Sequence, residues 1–366
     1  MRSLTTLAAH CAAQGTPYYE LSARMNPWPT AALKIGGPGA NRIGSPQVYV
    51  GNVRNVHVFG HTYLRHGDTF IVDGQGFALD PDRNGFDEYA AISDNRPKVP
   101  YAIPDECIFI GGAWHDPDPS HGVPNFGHFM WEYASRLAIF DRAGLLHLPA
   151  IIYQSVPERW LDFLRLAGVD NFIYTDPASP PNYANVWVTS CPFQRDVDNQ
   201  YMAWGPAVHW LRNRLTRGVD IRRRRRVYIG RGTSKWRHII NETEVVEFLA
   251  SRGFEVVDPA AQTAATQVAT MAEADVVIMA QGAGNIMSQF CPEHARVIIL
   301  APEGAGGMWG GMAHAIVLRQ SYSWLFGRRI PRDDGMKRMN RYGMDEMADF
   351  VIDVADLRAA VDACGL

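Results

Sequence analysis

A short run with two glycines, Gln281-Gly282-Ala283-Gly284-Asn285, is the first part of the sequence that could do chemistry. It follows an apolar stretch, 275–280, that is typical of a buried strand, and it opens a helix. Glycines let the backbone approach a ligand closely, and a helix N-terminus carries unpaired N–H groups, so this arrangement suits phosphate. The third glycine of the dinucleotide fingerprint is missing. A tight strand-to-helix turn without a ligand is the alternative interpretation.

A second set of polar residues stands between an apolar run, 226–231, and a helical pattern, 241–253. In a parallel α/β sheet this is the edge where ligands bind. Arginine forks fit diphosphate oxygens better than lysine does. A solvated loop is the alternative. The candidate residues are Arg231, Lys235, Arg237, His238, Asn241 and Glu242.

A third set lies in the stretch 125–137, NFGHFMWEYASRL. Asn125, His128 and Glu132 are spaced i, i+3, i+7, so in a helix they share one face. A histidine with a carboxylate four residues later can hold a basic nitrogen toward a substrate hydroxyl. The alternative is that Asn125 caps the helix and His128 is a satisfied, partly buried side chain.

The sequence predicts no metal site. An Asp-x-Asp at 116–118 could hold a divalent cation, but the same pattern recurs at 80–82 and 196–198, so chance explains it. The cysteines form no CxxC pair, which gives no zinc signature and fits a reducing compartment. They are Cys11, Cys107, Cys191, Cys291 and Cys364.

Charge and hydropathy indicate which classes of partner and which cellular location to expect. A formal net charge of −3 weighs against a dedicated nucleic-acid partner. No run of about 18 apolar residues is present, and the N-terminus is a poor signal peptide, so we expect a cytoplasmic protein. The arginine run Arg222–Arg226 is typical of a solvated face. It could instead contact anionic lipid headgroups, which would place the protein at the inner face of the membrane, or a polymer acceptor.

Strands alternate with helices from residue 107 onward, which predicts an α/β fold with parallel strands. Predicted strands are 107–112, 150–153, 172–175, 186–190, 226–231, 254–259, 275–280 and 296–302, and predicted helices are 125–142, 156–167, 199–217, 241–253 and 263–274. We predict an irregular segment 1–45, a β-meander 47–73, and two Rossmann-like domains facing a cleft. The predicted domains are 1–104 (N-terminal extension and β-meander), 105–215 (first α/β domain), 216–340 (nucleotide-binding Rossmann-like domain) and 341–366 (C-terminal helix region).

These three motifs, in their order along the chain, resemble glycosyltransferase family 61, which includes plant xylan xylosyl- and arabinosyltransferases and bacterial capsular polysaccharide proteins. The resemblance covers about 105–365. Two departures are visible: Gln281 stands where histidine is usual, and Glu132 where aspartate is common. The matching positions are Asn125, His128, Glu132 and Arg136, then Arg231, Arg237, Asn241 and Glu242, then Gln267 and Gln281-Gly282-Ala283-Gly284.

The resemblance implies a two-Rossmann-domain (GT-B) architecture and transfer of a sugar, with inversion, from a nucleotide sugar, most simply a UDP-sugar, to a glycan or lipid-linked glycan acceptor. His128 supported by Glu132 would be the base, and Asn125 and Arg136 would lie on the acceptor side. The donor side would comprise Arg231, Arg237, Asn241, Glu242 and Gln281 to Asn285, without a metal or cofactor. Two alternatives stay open: an inactive nucleotide- or glycan-binding module, and a sugar-nucleotide epimerase of the same architecture.

Overall fold

A computed structural model describes residues 3–22, 25–29, 42–59, 63–67, 69–72, 103–111, 125–176, 181–195, 201–232, 234, 236–305, 310–330 and 347–366. The chain divides into two compact units. The first comprises Met1–Trp28 and Arg42–Arg214, and the second comprises Pro29–Asn41 and Leu215–Leu366. The fold is mixed α/β with several parallel strand pairs, as the alternating pattern predicts.

The N-terminal residues are more ordered than the predicted irregular segment. A helix, α1 (Leu7–Gln14), begins at Thr6, whose hydroxyl accepts a hydrogen bond from the amide of Ala9. It ends at Gly15, which adopts a left-handed conformation with φ of 62° that glycine tolerates. The prediction was wrong here because the threonine cap and terminal glycine, both readable in the sequence, were not weighed.

The strands up to residue 203 are β1 (Ser3–Thr6), β2 (Tyr18–Ser22), β3 (Met25–Pro29), β4 (Arg42–Ser45), β5 (Val48–Phe59), β6 (Tyr63–His66), β7 (Thr69–Val72), β8 (Cys107–Gly111), β9 (Ala150–Tyr153), β10 (Phe172–Thr175), β11 (Tyr183–Thr189), β12 (Phe193–Arg195) and β13 (Tyr201–Ala203). Among the described residues, nine of them form one sheet in the order β1-β7-β6-β5-β11-β8-β9-β10, with β2 also paired to β5. β5 pairs antiparallel with β2, β6 and β11, whereas β11, β8, β9 and β10 are parallel neighbours.

The predicted helix 125–142 is helical but not uniform. It consists of α2 (Phe126–His128), a π-helical turn (Phe129–Tyr133), a 3₁₀ turn (Ala134–Arg136) and α3 (Leu137–Arg142). A π turn inserts one extra residue per turn and is frequent at functional sites. This turn carries Glu132, one of the predicted site residues.

Two further helices lie in the remainder of this part of the chain, α4 (Glu158–Leu166) and α5 (Gly205–Leu215). The predicted helix 199–217 begins later than expected. Residues Tyr201–Ala203 are instead a strand that pairs with β12. Pro206 is the second residue of α5, and proline is favoured in a first helical turn, where no partner for its missing N–H is needed.

The second unit is built on a six-stranded sheet, counted over the described residues, in the order β15-β14-β16-β17-β18-β19. Its pairs are parallel except β18 with β19, which is antiparallel. The predicted strands 226–231, 275–280 and 296–302 are confirmed. β18 and β19 were not predicted. The strands are β14 (Arg225–Ile229), β15 (Glu255–Val256), β16 (Ala274–Ala280), β17 (Arg296–Pro302), β18 (Ser321–Ile330) and β19 (Asp349–Val351).

Helices of the second unit cover its sheet. They are α6 (Glu242–Ser251), α7 (Ala264–Ala272), a 3₁₀ helix (Ala283–Phe290), α8 (Gly310–Val317) and α9 (Val354–Asp362). The core on one face joins apolar residues of β14, β16 and β17 to residues of α6 and α9, among them Tyr228, Ile278, Leu300, Leu249 and Leu357. The C-terminal segment therefore contributes to this core.

No helix in the described part of the chain is long and apolar enough to cross a membrane.

Gly327 sets how closely β18 and β19 approach. A Cβ added at this position would overlap the carbonyl oxygen of Val351 and lie 2.8 Å from Phe350 Cδ2. We expect Gly327→Ala to lower the free energy of unfolding by about 1–3 kcal/mol, because backbone and a core ring must shift. Urea unfolding followed by circular dichroism measures it. Gly284→Ala is the control, since a Cβ there meets nothing within 4 Å; equal losses in both variants would contradict the prediction.

Candidate functional site

The first and second motifs, the run Gln281–Asn285 and the set that begins at Arg231, meet at one edge of the second unit's sheet. β14 and β16 are adjacent and parallel, with Ile229 opposite Met279. Arg231 follows β14 by two residues and Gln281 follows β16 directly. Both therefore stand beyond the carboxyl ends of neighbouring strands, where ligands of parallel α/β sheets bind.

The guanidinium of Arg231 lies against the backbone of Gly282. A Cβ built on Gly282 would overlap Nη1 of Arg231. The φ of Gly282 is 176°, which is extended backbone that any residue adopts. The turn itself places no demand on the residue type at 282, and the missing side chain there leaves the space that the Arg231 guanidinium occupies. This is a role that the glycine pattern alone does not reveal.

Two of the three guanidinium nitrogens of Arg231 are hydrogen-bonded to the protein. Its Nε and Nη2 donate to the carbonyl oxygen of Trp236, at 3.1 and 2.9 Å. Nη1 makes no hydrogen bond with any described residue. Burial lowers the pKa of Arg231 to about 10, while Glu242 and Asp349 oppose that shift. The side chain is therefore a cation at neutral pH, with N–H donors on Nη1 available to an anion.

Glu242 occupies the space left by a second glycine. A Cβ at Gly230 would overlap Glu242 Oε1, which accepts hydrogen bonds from the hydroxyl of Tyr228 at 2.8 Å and the amide of Arg231 at 3.3 Å. Burial, followed by the nearby Glu242, raises the pKa of Tyr228, so its hydroxyl stays a donor. The carboxylate thereby fixes the start of the loop that carries Arg231.

The side chain of Asn285 forms hydrogen bonds with the backbone on both sides of Gln281. Its Oδ1 accepts from the amide of Gly282 at 2.7 Å, and its Nδ2 donates to the carbonyl of Ala280 at 3.2 Å. The Gly282 amide is thus already used within the run and is not one of the unpaired N–H groups that the sequence predicts at this helix start. The amides of Ala283 and Gly284 have no hydrogen-bond partner within the described residues.

Gln281 is buried, with 1% of its surface exposed. Its backbone amide donates to the carbonyl of Leu300 at 2.8 Å, which ties the run to β17. The side-chain Oε1 is buried and finds no partner in the described part of the chain. An unpaired buried amide oxygen costs about 1–3 kcal/mol, so a ligand or water that pairs with it would be stabilised there.

A buried hydrogen-bonded chain supports the same run from behind. The Ser288 hydroxyl donates to the carbonyl of Asn285 at 2.7 Å and lies 2.7 Å from Nε2 of His314. Because the hydroxyl proton is used, Nε2 must be the donor, which fixes the histidine tautomer. Burial lowers the pKa of His314 to about 3, so the ring is neutral. Neither residue was predicted, since they are 26 positions apart.

Arg237, His238 and Asn241 are bound to the C-terminal segment Met347–Ile352. Arg237 is 6% exposed and has a left-handed φ of 60°, with its amide donating to the carbonyl of Met347. The Asn241 side chain donates to the carbonyl of Ile352 at 2.8 Å and accepts from its amide at 3.0 Å. These contacts position the motif; that Arg237 and Asn241 touch a ligand stays a prediction.

In the first unit, His128 and Glu132 form the predicted pair. Nδ1 of His128 lies 2.5 Å from Oε1 of Glu132, and the two side chains are 35% and 27% exposed. With the Nδ1 proton donated to the carboxylate, Nε2 carries the lone pair of the ring. Glu132 lies within the π-helical turn Phe129–Tyr133, which begins directly after His128.

The two residues predicted for the acceptor side have visible structural roles. Asn125 caps α2, because its side-chain oxygen accepts from the amides of Gly127 and His128 at 2.8 and 3.3 Å. Arg136 is 1% exposed, and its Nε donates to the carbonyl of Glu132 at 2.8 Å. A contact of either residue with an acceptor stays a prediction.

The arginine run is paired with acidic residues of the same unit. Arg222 bonds Asp220, Arg223 and Arg225 approach Glu273, Arg224 bonds Asp275, and Arg225 also bonds Glu255. These arginines stand at or before the start of β14, at the opposite end from Arg231. The pairs reduce the net positive charge available to lipid headgroups, and a membrane contact through this run stays a prediction.

Lys235 and the Asp-x-Asp at 116–118 lie outside the described residues. Within the described ranges, no group of three or more histidine, cysteine, aspartate or glutamate side chains is arranged to hold a metal ion.

The burial of neutral His314 predicts a pH-dependent stability. Its folded-state pKa of about 3 lies below the ordinary 6.5, so the unfolded chain binds the extra proton between these values. Stability is fully present above about pH 6.5 and is lost as pH falls, by up to about 1.4 kcal/mol per pH unit. In urea titrations at pH 7 and pH 5, we expect His314→Gln to lose less stability than the unmodified protein. His147→Gln, at an exposed position, is the control. Parallel pH profiles for all three proteins would contradict the assignment.

Comparison with known proteins agrees with these motifs. A search of curated protein sequences gives no match. The model of one protein family, described as Glycosyltransferase 61, matches residues 126–298, a range that contains His128, Arg231 and the run from Gln281 to Asn285. This match covers less than half of the chain; it supports a relationship to glycosyltransferase family 61 and a transferase activity.

Proposed function

We propose that this protein is an inverting glycosyltransferase that moves a hexosyl or pentosyl group from a UDP-sugar onto a glycan or lipid-linked glycan, in cell-surface or capsular polysaccharide biosynthesis. The observation that carries the proposal is the Arg231 guanidinium, whose Nη1 lies over the backbone of Gly282 at the carboxyl ends of two parallel strands. This arrangement lies in the region that matches the family model.

The donor side must stabilise the charge that grows on the leaving nucleoside diphosphate. Arg231 offers N–H donors in a partly buried setting, where charge–charge attraction is stronger than in water. The amides of Ala283 and Gly284 add donors nearby in sequence and carry no competing partner among the described residues. The amide oxygen of Gln281 can accept a hydrogen bond from a sugar or ribose hydroxyl. Arg237, Asn241 and Glu242 would hold this arrangement in place.

The acceptor side requires a base, and His128 is our assignment. Nε2 of His128 takes the proton of the acceptor hydroxyl as its oxygen attacks the anomeric carbon. The bond from that carbon to the diphosphate oxygen breaks in the same step, so the configuration inverts and UDP leaves. Glu132, 2.5 Å from Nδ1, stabilises the imidazolium that forms. Both side chains are accessible to solvent and therefore to an acceptor.

The family resemblance supports a proposal for the domain arrangement of the protein. We propose a GT-B arrangement of two Rossmann-like domains and action at the cytoplasmic side of the membrane. The chemistry assigned to the described residues uses arginine and backbone donors for charge stabilisation.

We expect UDP or a UDP-sugar to raise the melting temperature. A ligand that binds only the folded state adds RT ln(1 + [L]/Kd), about 2.7 kcal/mol at a hundredfold excess over Kd. A thermal-shift panel of UDP, UMP, GDP and UDP-sugars measures it, and UMP should shift less because it lacks the second phosphate. If no nucleotide in the panel shifts the melting temperature at millimolar concentration, the donor-site assignment fails.

The two halves of the proposed site should separate by mutation. His128→Ala should reduce turnover by about 10²–10⁴, the usual effect of losing a general base, while UDP binding stays nearly intact. Arg231→Ala should weaken UDP binding by about one to two decades, because a hydrogen bond to a charged group contributes roughly 1.5–3 kcal/mol. Calorimetry beside a sugar-transfer assay measures both effects.

Exposed residues supply the matched controls, His147→Ala for the histidine and Arg358→Ala for the arginine. Circular dichroism establishes that each variant is folded. Full turnover in His128→Ala would move the base to Glu132. Unchanged UDP affinity in Arg231→Ala would remove the diphosphate from the edge formed by β14 and β16.

A further inference from the structure

The C-terminal segment Met347–Ile352 runs beside the motif segment Arg237–Asn241 and is hydrogen-bonded to it along its length. The amides of Arg237 and Ile240 donate to the carbonyls of Met347 and Phe350, and the Phe350 amide donates back to His238. The side chain of Asn241 closes the far end on both backbone groups of Ile352. This segment lies about fifty residues beyond the end of the range that matches the family model, 126–298.

Asp349 is the charged residue of this segment that reaches the motif. Its Oδ1 accepts from the amide of His238 at 2.8 Å and lies 3.2 Å from Nδ1 of the same histidine. The other ring nitrogen, Nε2, lies 2.6 Å from the carbonyl oxygen of Ser234. Both ring nitrogens of His238 therefore face oxygens that accept hydrogen bonds.

The histidine in turn holds the loop that aims Arg231. Ser234 donates its amide to the carbonyl of Arg231 at 3.1 Å, and its hydroxyl to the carbonyl of Trp236 at 3.3 Å. The Trp236 carbonyl is the same acceptor that binds Nε and Nη2 of Arg231. A continuous chain of contacts therefore runs from Asp349 through His238 and Ser234 to the guanidinium. The carboxylate also acts directly on Arg231, since it raises the pKa of that side chain against the effect of burial.

We propose that Asp349 is a positioning residue for a nucleoside diphosphate: through His238, Ser234 and the carbonyl of Trp236 it holds Arg231 with Nη1 over Gly282. This inference rests on the proposed function, because it assumes that Arg231 binds the diphosphate. It adds a residue that does not contact the ligand but determines where the cation stands.

A purely architectural role is the competing explanation. Met347–Ile352 also completes the sheet, since β19 pairs with β18 and Phe350 and Ile352 are part of the core. If Asp349 had only such a role, its mutation would lower the free energy of unfolding but would leave the ratio of UDP affinity to UMP affinity unchanged. The positioning role predicts a loss of affinity that is specific for the second phosphate and that disappears when Arg231 is already absent.

The test measures UDP and UMP affinity by calorimetry for the full chain, Asp349→Ala, Asp349→Asn, Arg231→Ala and the double variant Asp349→Ala with Arg231→Ala. Asp349→Asn keeps an acceptor for the His238 amide and removes the charge, so it carries the test if the alanine variant does not fold. Asp353→Asn is the matched control, because Asp353 caps α9 through the amide of Ala355 and does not reach the motif.

We expect Asp349→Ala to weaken UDP binding at least tenfold and UMP binding much less, with Asp349→Asn between it and the unmodified protein. In the double variant, loss of Asp349 should add nothing to the loss caused by Arg231→Ala. UDP affinity equal to that of the unmodified protein in folded Asp349→Asn, or additive losses in the double variant, would overturn the inference. If the unmodified protein itself binds no nucleoside diphosphate, the proposed function fails instead.

Discussion

The contact between the Arg231 guanidinium and the bare backbone of Gly282 is the constraint around which the candidate donor site is organised. It requires β14 and β16 to be neighbours, so that the two chain segments leave the sheet side by side. It requires a residue without a side chain at 282, because Nη1 takes that space. It also requires the guanidinium to be fixed in one orientation. The carbonyl oxygen of Trp236 does this, because it accepts hydrogen bonds from both Nε and Nη2 of Arg231.

The surrounding polar groups each stabilise one partner of that contact. Glu242 binds the backbone of Arg231, and Asn285 binds the backbone of Gly282. Ser288 and His314 support Asn285 from the interior. Asn285, Ser288 and His314 are buried and bonded in series, so the loss of any one of them leaves an unsatisfied neighbour, which is more costly than the loss of a single surface hydrogen bond.

Much of the second unit could be predicted because its strands are continuous apolar runs and its helices end at recognisable caps. The strand at 296–302 has the predicted bounds, and the helix predicted at 263–274 begins at Ala264 after its Thr263 cap. The C-terminal strand β19 was missed because it is three residues long and takes its stability from pairing with β18. The π turn at Phe129–Tyr133 has no periodicity that distinguishes it from an ordinary helix.

The candidate residues were found where the chemistry is local in sequence, and missed where it depends on distant partners. The pair His128 and Glu132 follows from helical spacing alone. Asp349 stands 111 positions after His238, and its role depends on a strand that only the folded sheet creates. A second role of Gly282 could not be predicted from the sequence. Its neighbours indicate a phosphate loop, which stays a prediction, and the structure shows in addition that the missing side chain at 282 makes room for an arginine.

Two glycines of this site are each matched to one long charged side chain, Gly230 to Glu242 and Gly282 to Arg231. Within each pair, the volume absent at one position is the volume filled at the other. The two positions of a pair are therefore not free to vary separately during evolution. A related chain that gained a side chain at 282 would need a shorter residue at 231, and one that changed 230 would need to redirect 242. Coupled change at the two positions of a pair is the evolutionary signature that this packing implies.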